Sequence, residues 1–264
     1  MLGRRSDSEW ERFGRQDPYY GVVTLDRFRR DKLTEEAKRD FFTSGEDHIA
    51  FVFEQVRRRL DPEFAPKRAM DFGCGVGRCT LPLATRCAEV VGVDVSKAML
   101  EEARRNGDAR ALANIRYVES DDTLSKVSGS FDLIHSVITF QHIPPHRGER
   151  IFARQLEALA ENGVGAVQFV HHRDVARAVR AAGWLRKRVP LLHPLLNLAA
   201  GKPVREPLVE KNCYSLSRLA RLLQAHGCGH LYLLFESEGP LKSVMLFFQK
   251  KRAAMPYEAF YNQA

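Results

Sequence analysis

Residues 67–78 read Lys-Arg-Ala-Met-Asp-Phe-Gly-Cys-Gly-Val-Gly-Arg, and this stretch decides the fold. A short apolar segment leads to an acid, Asp71, and glycines then alternate with other residues at Gly73, Gly75 and Gly77. Glycine adopts positive φ angles and has no side chain, so a ligand can lie close to the backbone there. The order of residue types predicts a strand, a tight turn and a helix, which together form a nucleotide or cofactor cradle at the mouth of a parallel sheet.

The spacing of the glycines differs from that of a dinucleotide site. In the fingerprint G-x-G-x-x-G, counted from Gly73, the third glycine would stand at position 78, which is Arg78. The chain has G-x-G-x-G instead, with an acid two residues before the first glycine. This resembles the first motif of class I S-adenosylmethionine (SAM) dependent methyltransferases, D-x-G-x-G-x-G. For the glycine run taken alone, a purely structural turn is the alternative.

Three further segments support the resemblance because they follow in the order that the family has. Residues 89–94 are a β-rich run that ends at Asp94, where a carboxylate can accept hydrogen bonds from both hydroxyls of a ribose. Residues 114–122 predict a third strand that ends in acids. Residues 131–144 predict a fourth strand and its exit loop, similar to the family's F-D-x-[IV] segment that ends in x-H-[IL].

The resemblance implies a fold and a reaction. The fold would be α/β, a Rossmann-like sheet of seven strands with helices on both faces and a helical lid. The sheet would be mostly parallel, with an antiparallel last strand inserted between its neighbours. The reaction would be methyl transfer from SAM, the implied cofactor, to a small-molecule acceptor by O- or N-methylation.

The resemblance also assigns parts of the cofactor to particular residues. The backbone of residues 73–75 and the carbonyl near Ser136 would contact the methionine end, and Asp71 would orient the loop or a water near the ammonium group. Asp94 would hold the ribose, and Asp121 would face the adenine amine. The full set of predicted cofactor-binding residues is Asp71, Gly73, Cys74, Gly75, Gly77, Asp94, Val95, Met99, Asp121, Asp122 and Ser136.

Some of these residues, and two tyrosines, also have a packing interpretation. Cys74 lies inside the glycine turn, where a small residue fits, so we interpret it as packing and not as a nucleophile. Met99 packs either on the adenine or inside its own helix, since methionine commonly fills gaps. Tyr19 and Tyr20 either close over the cofactor or pack on the protein surface.

Methyl transfer from a sulfonium is an in-line displacement whose leaving group is already activated by its charge. Holding the methyl group and the acceptor in line can supply roughly 7–11 kcal/mol. A general base helps when the acceptor is a hydroxyl or a protonated amine. The candidate catalytic residues are His142, just past the fourth strand, and His171 and His172 at the end of the fifth. The histidines have no H-x-x-H spacing, so no metal is predicted.

The composition fits a globular protein with one core and a modest accessory part. The chain has 264 residues, of which 44% are hydrophobic and 28% charged. Its five cysteines include no C-x-x-C pair, so neither a disulfide framework nor a zinc ribbon is predicted, and a cytoplasmic location is favoured. No signal peptide is recognised, and no run approaches the roughly 20 apolar residues of a transmembrane helix. The oligomeric state is left open.

Alternating strands and helices over the central region predict a parallel, doubly wound sheet. Within the first part of the chain, residues 44–47 predict a capping box that begins a helix. Within the core, Asn162-Gly163 predicts the end of a helix near 147–161. The predicted divisions are an N-terminal helical cap (1–66), the SAM-binding core (67–171), a helical insertion or substrate lid (172–212), the C-terminal part of the core sheet (213–250) and a tail (251–264).

The acceptor is the least determined part of the prediction. The [DNS]-P-P-[YFW] loop of enzymes that methylate amines of DNA bases is replaced by Gln-His-Ile-Pro-Pro at 141–145. Residues 171–188 carry a net charge of +5 (six Lys or Arg against one Asp). That patch suits a solvated lid, an anionic small molecule or RNA, while residues 183–198 suit contact with a membrane surface or a lipid-like substrate. A small-molecule acceptor is favoured, and an RNA methyltransferase or a SAM-binding protein without turnover are the alternatives.

Overall fold

The computed structural model describes residues 3–175 and 211–251, together with Leu195, Leu198 and Val209. Its strands are β1 (Arg68–Phe72), β2 (Glu89–Asp94), β3 (Ile115–Glu119), β4 (Phe131–Ser136), β5 (Leu159–Arg173), β6 (His230–Glu238) and β7 (Leu241–Gln249). They form one seven-stranded sheet in the order β3-β2-β1-β4-β5-β7-β6. The first five positions are parallel, and β7 is antiparallel to both of its neighbours. The predicted sheet, including its inserted last strand, is confirmed.

Helices cover both faces of this sheet. They are α1 (Gly3–Gln16), α2 (Pro18–Val22), α3 (Glu35–Arg59), α4 (Thr80–Ala84), α5 (Lys97–Asp108), α6 (Pro145–Ala158) and α7 (Leu216–Ala225). Successive side chains of a strand point to opposite faces. In β1, Met70 and Phe72 accordingly join a core with Phe152 of α6, whereas Ala69 joins a second core with Val52 of α3. The sheet thus packs against helices through a separate hydrophobic core on each face.

The helix that was predicted to begin with a capping box at 44–47 begins earlier, so that prediction was wrong. Helix α3 starts after Thr34, whose hydroxyl accepts a hydrogen bond from the N–H of Ala37 at 3.1 Å. The chain continues in helical form through Gly45. A Cβ atom built on Gly45 would lie 2.0 Å from the carbonyl oxygen of Arg78. This glycine therefore marks the close approach of α3 to the glycine turn and does not mark a helix start.

A second boundary also differs from the prediction. Helix α6 ends at Ala158 and β5 follows at once at Leu159, so the helix does not extend to Asn162-Gly163. Asn162 does have a left-handed backbone, with a φ of 61°. It lies within an irregular stretch of β5, where its N–H donates to the carbonyl of Lys250 at 2.9 Å. Left-handed asparagine thus indicates a backbone irregularity here, although the same signal also ends helices.

The remaining predicted divisions are covered only in part. The insertion predicted at 172–212 and the tail predicted at 251–264 lie mostly outside the described residues. The basic stretch 171–188 and the apolar stretch 183–198, on which the RNA and membrane alternatives were based, also lie largely outside the described residues. None of the helices within the described ranges is long and apolar enough to cross a membrane.

Candidate functional site

A cavity of about 860 Å³ opens where the carboxyl ends of the parallel strands meet. Its wall includes Asp71 and the glycine turn after β1, Asp94 after β2, Asp121 after β3 and Thr139 after β4. Ligands of open α/β sheets bind at this edge. The acids that end three neighbouring strands are therefore brought together on one cavity, as the sequence interpretation requires.

The glycine turn has the backbone that its sequence predicts. Gly73, Gly75 and Gly77 have φ angles of 74°, 52° and 92°, which lie in the left-handed region that favours glycine. There is also no room for side chains at the first two. A Cβ atom on Gly73 would lie 2.1 Å from the hydroxyl of Thr139, and one on Gly75 would lie 2.5 Å from a methyl of Val22. The turn thus presents backbone to the cavity, and Thr139 and Val22 pack closely against it.

Asp71 is held by two side chains, and its orientation of the loop or of a water stays a prediction. It is 3% exposed, and the hydroxyl of Thr80 donates to its Oδ2 at 2.6 Å. Its Oδ1 lies 2.8 Å from Nδ1 of His135, a fully buried residue of β4. The bond to Thr80 ties the end of β1 to the start of α4. Sequence reasoning missed His135, although a histidine inside a strand that is otherwise apolar was a signal that it has a buried partner.

His135 also contacts His48 of α3, with 3.0 Å between their Nε2 atoms. The side-chain nitrogens of these residues and the thiol of Cys79 all lie within 4.8 Å of one another, which is the spacing of potential metal ligands. Burial, followed by His135 and Arg78, lowers the pKa of His48 to about 2, so its ring is neutral. The ring-to-ring distance is that of a hydrogen bond, and this bond satisfies one nitrogen of each ring.

Asp94 has the geometry of a group that can take two more donors. Its Oδ2 accepts from the N–H of Gly75 and its Oδ1 from the N–H of Ser96, each at 2.9 Å. A carboxylate has about four lone-pair sites, so these two bonds leave capacity for a ligand. The residue is half-buried, and burial raises the pKa of Asp94 to about 6 despite these bonds. Two ribose hydroxyls would offset part of that desolvation cost.

Asp121 has a structural task that the sequence did not predict. Its Oδ1 accepts from the N–H of Thr123 at 2.8 Å and from the N–H of Ser125 at 3.1 Å, and the Ser125 hydroxyl bonds its Oδ2. These bonds hold the pKa of Asp121 well below its usual range. The carboxylate thus shapes the turn after β3 and has little capacity left on Oδ1. Its contact with adenine stays a prediction.

Asp122 is bound to an arginine of α6. Arg147 donates from Nε to both oxygens of Asp122 at 2.9 and 3.0 Å, and from Nη1 and Nη2 to Asp7 of α1 at 3.0 Å each. One guanidinium therefore joins α1, α6 and the loop after β3 on the cavity wall. No local sequence pattern predicts this bridge, because the residues bonded to Arg147 are 25 and 140 positions away from it.

The other predicted cofactor residues divide into two groups. Cys74, Val95 and Met99 line the cavity. Burial, followed by the charges of Asp94 and Asp71, raises the pKa of the Cys74 thiol, which agrees with a packing residue. Gly77 and Ser136 lie outside the wall that the described residues form. The Ser136 hydroxyl donates to the carbonyl of Phe72 at 2.8 Å and so joins the ends of β4 and β1.

Of the three candidate histidines, only His142 lies on the cavity. It is 8% exposed, and its ring meets that of Trp10 edge-on with 4.8 Å between the ring centroids. His171 packs beside Phe235 of β6, and His172 lies 3.1 Å from a carboxylate oxygen of Asp174 in an exposed position. The described cavity therefore does not include His171 or His172, because β5 carries both of them past its rim.

The N-terminal helices form part of the wall, which the sequence did not predict in detail. Glu11 of α1 accepts from the Ser96 hydroxyl at 2.9 Å and from the N–H of Ala98 at 3.2 Å, at the start of α5. Gly14 was a usable signal, since a Cβ atom there would lie 2.5 Å from the Ser96 hydroxyl oxygen. Tyr19 and Tyr20 are both buried, and the hydroxyl of Tyr19 donates to Glu102 at 2.7 Å, so packing is their observed role.

The cavity fits SAM in its chemistry. The bare turn at residues 73–75 offers close contact to backbone, and Asp94 offers free lone pairs toward two hydroxyls. Val95 and Met99 offer apolar contact beside the acids of the turn after β3. Trp10 and His142 also line the cavity and contact each other.

Comparison with known proteins agrees with this geometry. Residues 69–163 match the family described as "Methyltransferase domain". The chain is 40% identical over 119 residues to a trans-aconitate 2-methyltransferase of Deinococcus radiodurans, a match that spans 44% of this chain and 43% of that protein. It is 29% identical over 185 residues to a protein of the same name from Afipia carboxidovorans, across 62% of this chain and 70% of the relative. The chain thus spans less than half of the first relative's length.

Solved structures share the fold across nearly the whole chain. The DhpI complex with S-adenosylhomocysteine has a TM-score of 0.57 at 16% identity, over 96% of this chain and all of the other. Magnesium protoporphyrin IX methyltransferase of Synechocystis PCC 6803 has a TM-score of 0.56 at 18% identity, over 90% of this chain and 98% of that one. The domain match over residues 69–163 and the curated relatives confirm the predicted resemblance to class I SAM-dependent methyltransferases, and the solved structures share the fold.

Proposed function

We propose that this protein transfers a methyl group from SAM to a small-molecule acceptor. The observation that carries the proposal is the single cavity on which the glycine turn, Asp94 and the predicted adenine turn meet side chains from the N-terminal cap. Its volume of about 860 Å³ lies in the range of about 300–1,000 Å³ typical of small-molecule sites.

Bound SAM supplies a methyl group on a positively charged sulfur, so the leaving group needs no further activation. The protein then has to hold the methyl group and the acceptor in line and to exclude water. Backbone at residues 73–75 would fix the methionine end of the cofactor, and the carboxylate of Asp94 would fix its ribose. Val22, Trp10 and His142 belong to the wall that would shield the remaining space from solvent.

A carboxylic acid is the acceptor class that we propose to test first. Several similar relatives are named trans-aconitate 2-methyltransferase, and trans-aconitate is a polycarboxylic acid. A carboxylate oxygen has already lost its proton at neutral pH, so its methylation requires no general base. The described wall carries two histidines, His142 and His146, and His142 packs against Trp10. O-methylation is the outcome that this chemistry predicts.

The test is incubation with SAM labelled on its methyl group and three separate pools of acceptors. These pools are di- and tricarboxylic acids, amines with phenols, and bulk transfer RNA. We expect label in the carboxylic acid pool, released by mild base as an ester. Label in the RNA alone would contradict the proposal and favour the alternative function. Tight binding of S-adenosylhomocysteine with no transfer to any pool or to a cell extract would indicate a protein that binds without turnover.

A further inference from the structure

Arg78 is a buried cation on the wall of the cofactor cavity, directly after the glycine turn. Only 8% of it is exposed, and it contributes to the cavity lining. Its Nη1 donates to the carbonyl and hydroxyl oxygens of Ser44 at 3.3 and 3.5 Å, which are long for hydrogen bonds. Its Nε is buried and has no hydrogen-bond partner among the described residues. Most of the bonding capacity of this guanidinium is therefore unused.

Arg78 also lacks a counter-ion within the described part of the chain. The acid of the same turn, Asp71, is already bonded to Thr80 and His135. The nearby side chains of His48 and His135 cannot serve as counter-ions, because an imidazole does not supply a negative charge. A buried charge without a partner is costly. The guanidinium of Arg78 thus lacks an anionic partner among the described residues.

The other guanidinium groups on the cavity wall differ from Arg78 in this respect. Arg147 is bonded to both Asp7 and Asp122. Arg150 is exposed and lies 3.5 Å from an oxygen of Asp122. Among the described arginines of the wall, the buried one next to the glycine turn is the one that has no acid. Its planar fork of N–H donors matches the two oxygens of a carboxylate.

Resting on the proposed function, we propose that Arg78 receives a carboxylate when the cavity is filled. Two molecules can supply that group with the same chemistry. One is the cofactor, whose methionine part ends in a carboxylate, and the other is a carboxylic acid acceptor. The family motif ends at Gly77, so it does not assign this role to the residue that follows. The experiment has one arm for each source.

The cofactor arm measures binding by calorimetry and needs no turnover. The probes are S-adenosylhomocysteine and its decarboxylated analogue, which keeps the amine. The wild-type protein should prefer the intact compound by about tenfold or more, since a hydrogen-bonded charge pair has that effect on affinity. In Arg78→Met this preference should disappear, with affinity for the decarboxylated analogue unchanged. Arg86→Met is the matched control, because Arg86 is exposed, near in sequence and bonded to Pro82.

The acceptor arm measures the KM of an accepted carboxylic acid and of an uncharged acceptor. If the preference for S-adenosylhomocysteine survives in Arg78→Met, the KM of the carboxylic acid should rise by about tenfold or more, while that of the uncharged acceptor stays the same. That result also supports the proposal and identifies the acceptor as the source. Wild-type protein that binds S-adenosylhomocysteine yet methylates nothing would overturn the proposed function but leave the cofactor arm readable.

The proposal is overturned if Arg78→Met folds and retains both the preference and the KM values of the wild type. Thermal unfolding separates this from a structural role. Removing a buried cation that lacks a partner should leave the unliganded melting temperature equal or higher, while reducing the increase that S-adenosylhomocysteine causes. If Arg78→Met does not fold, Arg78→Lys keeps the charge and loses the fork. It should then weaken either the preference for S-adenosylhomocysteine or the binding of the carboxylic acid acceptor, and wild-type values of both would overturn the proposal.

Discussion

Asp94 ends β2 and Asp121 follows the end of β3 by two residues; both lie on the same cavity, yet their carboxylates are in different environments. Asp94 is half-buried and accepts from two backbone N–H groups, so it keeps lone pairs for a ligand and its pKa is raised. Asp121 is saturated by Thr123 and Ser125 of its own turn, which lowers its pKa. The same residue type near the ends of two neighbouring strands can therefore bind a ligand or shape the loop beside it. The distribution of donors around each carboxylate decides which.

Loss of the Asp94 carboxylate should have the largest effect on cofactor binding. A hydrogen bond to a charged group contributes roughly 1.5–3 kcal/mol, so Asp94→Ala should weaken the binding of S-adenosylhomocysteine by about tenfold to 150-fold. Calorimetry measures this directly. If a folded variant binds with unchanged affinity, Asp94 does not bind the ribose, and the proposed functional difference between Asp94 and Asp121 is wrong.

The raised pKa of Asp94 gives the second prediction, a pH dependence of binding. The ionised form accepts from two hydroxyls, so affinity should be constant above about pH 6 and fall by roughly tenfold for each unit below it. Without ligand the sign is opposite, because the folded state holds this proton more tightly than the unfolded state. The contribution of Asp94 to stability is therefore greatest below its unfolded pKa and is lost as the pH rises toward 6. Asp94→Asn should bind weakly with a flat profile, and a wild-type profile that is flat to pH 5 would contradict the assignment.

A smaller effect is expected from the Arg147 bridge, which joins α1 and α6 to the loop after β3. Arg147→Met breaks the bonds to Asp7 and Asp122 and should loosen α1 from the cavity. We expect the affinity for S-adenosylhomocysteine to fall by about threefold to tenfold, with faster proteolysis near residue 16. Arg154→Met, which removes an exposed pair with Glu157, is the control and should change neither.

The smallest effect on binding is expected at Asp121. Asp121→Asn keeps one acceptor oxygen but loses bonds within the turn, so the unfolding temperature should fall while affinity changes by less than about threefold. Because its folded pKa is lowered, the stability that Asp121 provides is present above its unfolded pKa and is lost as the pH falls through the folded one. A loss of affinity as large as that of Asp94→Ala would show that the two strand tips act alike.

The sequence was informative where chemistry is local and less so where partners are distant. The glycine turn and the acid after β2 are short patterns whose backbone requirements can be read directly, and the structure has the left-handed angles that they predict. The bonds of Glu11 to the start of α5 and of Arg147 to Asp7 join residues 85 and 140 positions apart. No local period encodes such contacts. The start of α3 was predicted wrongly for the same reason. Gly45 is required by its close approach to the distant carbonyl of Arg78 and does not mark a helix start.

The position of β7 has a consequence for how the chain folds during synthesis. This strand is made last among the seven, but it lies between β5 and β6, and it pairs with β5 from Val164 to Arg173. Until residue 249 has left the ribosome, the whole of that edge of β5 has no permanent neighbour, and exposed strand edges favour aggregation. A nascent chain that stalls before residue 241 would carry every residue of the glycine turn and still be unable to complete the sheet that supports it.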